Sequence, residues 1–99
     1  MLLRWFDSRE AVAFAKIVAE ELNTTFPPGS ILELGKLTRP KDLKKIERIL
    51  ERIFAFAKEK HLNFYIKSRF LNTLMYELKE RGYDETFIKR FINNITLRL

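Results

Sequence analysis

Five cations share one side of a stretch that reads as helix. At about 100° per residue, Lys41, Lys44, Lys45, Arg48 and Arg52 fall in one sector, opposite a face built from Ile46, Ile49, Leu50 and Ile53. Ammonium and guanidinium groups in such a row match what following a phosphate backbone requires, and Arg39 would lengthen the row. The same residues have a second reading. Glu47 and Glu51 stand within reach of Lys44 and Arg48, and i,i+3 and i,i+4 pairs of that kind solvate a helix face without binding anything. A second row, Tyr65, Arg69, Asn72 and Tyr76, recurs at i, i+4, i+7 and i+11, away from the apolar face of its own segment. Tyrosines interleaved with Arg and Asn stack on bases or anchor a protein interface. Alternatively, they flank a core with their hydroxyls in water.

Catalytic chemistry finds little support. The chain holds one histidine, His61, and no cysteine, which excludes multi-histidine and thiolate metal sites and any cysteine nucleophile. Glu10 and Glu21 flank one helix with Ile17 between them, but no Glu-x-x-His unit exists on another helix to complete a two-metal centre. Asp84 and Glu85 are accounted for by helix capping. His61 follows Lys58-Glu59-Lys60 at a helix end, where a cation suits the dipole. Three glycines build neither a Walker loop nor a dinucleotide-binding turn. The reading has no catalytic residue, no metal ligand, no cofactor and no evident small-molecule substrate.

The charge is unevenly placed. The chain carries net +6, from 19 Lys+Arg against 13 Asp+Glu, with a pI near 9.8. Residues 1–38 hold net −1 and residues 39–99 hold net +7. Such asymmetry suits an anionic partner: nucleic acid, an anionic membrane surface or an acidic protein. A length of 99 residues with 46% hydrophobic content is expected to form one domain spanning 1–99 with its own core. No run approaches a spanning helix, and Met1–Asp7 is too short an apolar stretch for a signal peptide, so the expected location is cytoplasmic.

Periodicity supplies the elements that must position these residues. A first helix is expected over about 8–23, capped by Asp7 with Glu10 completing a capping box. Its face is Ala11, Phe14, Ala15, Val18 and Leu22. Val12, Ala13, Ile17 and Ala19 widen the apolar surface, which predicts a central helix whose alanines allow close approach. Pro27, Pro28 and Gly29 end it, and Ile31–Leu37 is read as an irregular or one-turn connector.

A second helix is expected over 40–60, with Leu43, Ile46, Ile49, Leu50, Ile53, Phe54 and Ala57 inward. A third is expected over 64–81, with Ile66, Phe70, Leu71, Leu74, Met75 and Leu78 inward and an irregular start near His61–Lys67, because Lys67 intrudes on that face. Gly82 suits the residue after its end. A fourth is expected over 85–98, with Phe87, Ile88, Phe91, Ile92, Ile95 and Leu99 inward. The predicted fold class is therefore all-α, a small four-helix bundle with a Pro/Gly-containing connector between its first two helices.

Leu78–Phe91 has the spacing of a helix-turn-helix at Gly82, Ile88 and Phe91. Leu78 stands where a small residue is wanted, however, and Arg81 where an apolar one is usual, so an ordinary αα-corner is the better description.

The function expected from these observations is a non-enzymatic protein-interaction module. It would bind another protein or a second copy of itself through Tyr65, Arg69, Asn72 and Tyr76, or through the N-terminal aromatics Trp5 and Phe6. The alternative is a basic domain that binds DNA or RNA through the second-helix cations.

Overall fold

A computed structural model describes residues 8–28 and 40–99. Four helices account for nearly all of them: α1 Ser8–Thr25, α2 Pro40–Lys60, α3 Phe64–Glu80 and α4 Glu85–Arg98. The domain is all-α and bundle-like. Among the described residues, no helix is long and apolar enough to cross a membrane. The Asp7 cap, Trp5, Phe6, Arg39 and Ile31–Leu37 lie outside the described residues.

Contacts fix the helix directions. Glu10 meets Lys60 and Glu21 meets Arg52, so α1 and α2 run antiparallel. Phe14 stacks on Phe70 and Glu20 meets Arg81, so α1 and α3 run parallel. The corner at 81–84 turns α4 back along α3, and at the far end the Lys67 Nζ donates to the main-chain oxygen of Leu99 at 3.1 Å.

The most intimate pair is α1 with α3. Its cause is visible in the sequence of α1. Ala11, Ala15 and Ala19 recur every fourth residue, all fully buried, and a ridge of methyl groups lets the two backbones come close. Val18 and Leu22 fill the flanks, and Phe14 is sandwiched between Phe70 at 5.8 Å and Phe56 at 4.2 Å between ring centroids. Phe70, Phe87 and Phe91 are fully buried, each a gain of roughly 1.5–3 kcal/mol over exposure.

The helix ends follow local chemistry. The Asn63 side chain accepts from the Ile66 amide at 2.8 Å and starts α3 cleanly at Phe64. While Lys67 itself lies in regular helix, the irregularity expected near His61–Lys67 falls at its first residue, His61, whose φ is +51°. There the Leu62 amide reaches the Ala57 carbonyl and the His61 amide the Lys58 carbonyl, a Schellman ending for α2. Tyr83 to Leu78 and Gly82 to Lys79 repeat the motif at the end of α3, with Gly82 at φ +90°. Asp84 then accepts from the Thr86 and Phe87 amides and caps α4.

Four expected apolar positions face outward instead. Ile17 is exposed beside Lys16 and Glu20, and Ala13 is exposed too, so α1 buries one face and is not enclosed. Leu43 is exposed, although Asp42 beside it in the first turn of α2 is buried. Met75 stands on the shoulder of α3 facing the groove towards α4.

Candidate functional site

Two surfaces carry the residues that sequence reasoning singled out. The first is the cationic side of α2, where Lys41, Lys44, Lys45, Arg48 and Arg52 are all exposed. Arg52 is held by Glu21 of α1. Lys41, Lys44, Lys45 and Arg48 have no carboxylate within ion-pair distance among the described residues. Glu47, expected to neutralise this side, instead reaches Arg98 of α4 at 3.8 Å, and the Arg98 guanidinium lies 4.6 Å over the Phe54 ring. Lys45 and Arg48 share a cleft of about 340 Å³ with Thr24 and Thr25. Glu21 lines the same cleft, and the last turn of α1 has no basic residue of its own, so Lys45 and Arg48 stand near the negative end of its dipole.

The second surface is the outer face of α3. Ile66, Phe70, Leu74 and Leu78 take the side towards the core, which leaves Tyr65, Arg69, Asn72 and Tyr76 directly opposite. Tyr65 is 61% and Tyr76 59% exposed, so neither ring folds down onto the core. Phe64, 86% exposed, extends the patch at its N-terminal end, and Met75, 39% exposed, extends it towards α4. Sequence reasoning missed Phe64, whose signal was its place in the first turn, ahead of any neighbouring helix.

From Met75 the surface descends into a shallow groove of about 470 Å³ between α3 and α4, lined further by Lys89, Arg90, Ile92, Asn93 and Thr96. No carboxylate lines it. Arg69, Lys89 and Arg90 make no ion pair among the described residues.

No protein-family model, curated protein or solved structure matches this chain.

The Tyr83 hydroxyl donates to the Phe26 carbonyl at 2.6 Å in a buried setting, tying the α3–α4 corner to the end of α1. Burial pushes that hydroxyl up to about 12; nearby Arg81 opposes the rise and Glu20 adds to it. Arg81 bridges Glu20 of α1 at 2.9 Å and Glu77 of α3 at 2.5 Å, and these two hydrogen bonds raise its pKa. The polar residue that spoils the helix-turn-helix pattern is thus the link between α1 and the corner. The two carboxylates considered as a metal pair are spent on α2, Glu10 on Lys60 and Glu21 on Arg52.

Proposed function

We propose that the protein is a non-enzymatic helical interaction module that binds another protein through the outer face of α3. The observation that carries this reading is the exposed row of Tyr65, Arg69, Asn72 and Tyr76, with Phe64 and Met75 beside it. Large aromatic rings left in water along three turns of a helix add nothing to the core. Tyr and Arg are the residue types that dominate binding energy when an interface covers them. Their few rotatable bonds keep the ordering cost of association low.

A specific observation favours a second reading, nucleic-acid binding by α2. Lys41, Lys44, Lys45 and Arg48 form a row without ion pairs among the described residues. It ranks second because Arg52 is taken by Glu21, and Lys45 and Arg48 face the end of α1.

Site-specific photo-crosslinking separates the two readings. A benzophenone side chain replaces Tyr76 in one variant and Lys44 in another, each in the full chain in its own cells. The first reading expects protein adducts from position 76 that disappear when Tyr65→Ala and Arg69→Ala are added, with no nucleic-acid adduct from position 44. Nucleic-acid adducts from position 44 with none from position 76 would replace it with the second.

A further inference from the structure

Resting on the reading of α3 as an interaction surface, the structure also constrains the chemistry of the partner. We infer that the occupant is an acidic amphipathic helix of another protein, lying along α3 with its apolar side in the α3–α4 groove.

Three features select it. First, the floor of the groove is apolar, from Met75 and Ile92, while its rim carries Lys89 and Arg90 and no acid. An occupant must therefore offer apolar side chains inward and negative charge at its edge. Second, Tyr65 to Tyr76 spans about 16 Å of helix, the length over which three turns of a docked helix present anchors at i, i+4 and i+7. Third, the same charges disfavour the other occupants. A second copy of this chain in a two-fold interface would bring two patches carrying Arg69, Lys89 and Arg90 together, like charge facing like charge, which costs affinity. Nucleic acid would need a continuous cationic row, and the outer row of α3 offers one cation, Arg69, between its two tyrosines.

The Lys89 and Arg90 side chains attract the partner and set its direction, while Tyr76 and Met75 supply the contact area. Asn93 and the Thr96 hydroxyl, which already donates to the Ile92 carbonyl at 2.8 Å, keep the α4 side of the groove low enough to admit a helix.

The test uses two labelled synthetic helical peptides of about 15 residues, long enough for about four turns. Both carry the same Leu/Phe face, one with Glu and the other with Lys on the remaining positions. Fluorescence anisotropy with the full chain is expected to show binding of the Glu peptide and little of the Lys peptide. The double variant Lys89→Glu/Arg90→Glu should weaken the Glu peptide by at least about tenfold and turn preference towards the Lys peptide. Lys44→Glu/Lys45→Glu, on α2, should leave Glu-peptide binding within about twofold, since added charge there acts only through screened distance.

Equal binding of both peptides, or loss of Glu-peptide binding through the α2 variant alone, overturns the inference. If the Lys peptide binds wild type and Tyr76→Ala abolishes that binding, the α3 surface stands and only the acidic partner falls. If neither peptide binds, the inference falls, while the crosslinking experiment decides the surface independently. Circular dichroism of each variant verifies the fold, which exposed substitutions of this kind leave intact.

Discussion

Replacing Tyr83 with Phe should make the protein less stable at neutral pH and more stable at strongly alkaline pH, with the two stability curves crossing. The buried hydroxyl donates to the Phe26 carbonyl at 2.6 Å. Losing one such bond costs about 0.5–1.5 kcal/mol, and more where the carbonyl stays dry. Working against the tyrosine is its ionisation. In the unfolded chain it loses its proton near 10.0, whereas burial in the fold pushes this to about 12. A folded value above the unfolded one gives stability that is fully present below about pH 10 and is lost as pH rises towards 12, because the unfolded chain sheds the proton first.

The complete loss comes to roughly 2–3 kcal/mol at about 1.4 kcal/mol per pH unit. With a neutral-pH deficit of about 1 kcal/mol for Tyr83→Phe, the curves should cross at about pH 10.5–11. The assay is urea denaturation of both proteins, followed by far-ultraviolet circular dichroism at steps from neutral to about pH 11.5. All other ionisable groups are common to both proteins, so the difference between the curves isolates Tyr83. A difference that stays constant with pH would refute the argument, since it would mean that the hydroxyl ionises alike in folded and unfolded chains.

Other expectations follow from the helix ends and the α1–α3 seam. Gly82→Ala should destabilise by about 1–2 kcal/mol, since φ is +90° and the added methyl meets only ordinary contact with Pro28 at 4.0 Å, so the cost is backbone strain rather than crowding. His61→Gly should do the opposite and stabilise by about 0.5–1 kcal/mol, because His61 occupies the equivalent left-handed position with a Cβ. Both are read from urea unfolding midpoints. Ala15→Leu should cost about 1–3 kcal/mol or more by forcing α1 off α3, while Ala13→Leu, on the exposed side, should stay within about 0.5 kcal/mol. Replacing Lys41 and Lys44 with Ala should leave the urea midpoint nearly unchanged, and replacing Lys45 and Arg48 should lower it by roughly 0.3–1 kcal/mol, since only the latter pair faces the end of α1.

Periodicity made the four helices and most of their buried faces legible, because side chains at i, i+3 and i+4 share a face wherever the helix sits. It could not give which positions a neighbouring element covers. Leu43 lies at the edge of the apolar face of α2 and is exposed while Asp42 beside it is buried, and Met75 has a shoulder angle that only the low α4 side chains leave open. Phe56 lay outside the face assigned to α2 and still packs, because Phe14 comes across from α1 to stack on it. The end of α3 at Gly82 was readable from its residue type. The end of α2 at Lys60 was readable too, but the left-handed turn of His61 that closes it was not, since histidine tolerates positive φ without announcing it.

At the site, Tyr65, Arg69, Asn72 and Tyr76 were readable as one row. Its continuation into a groove rimmed by Lys89 and Arg90 depends on how α4 packs, which spacing within one helix does not encode. The same holds for Glu47, which had a cation one turn away on its own helix and turned to Arg98 on another.

The most direct test of the α3 surface is an amide-shift map of the isotopically labelled chain. It would be titrated in turn with the Glu peptide and with mixed short DNA and RNA, at about 50 mM and about 200 mM salt, a range over which phosphate-dominated affinity collapses. The account predicts that the peptide shifts amides of Arg69–Tyr76 and Lys89–Thr96 at both salt concentrations, and that the oligonucleotides leave α3 unmoved. Oligonucleotide shifts confined to Lys41–Arg52 that vanish at the higher salt, with α3 and α4 silent towards the peptide, would contradict it.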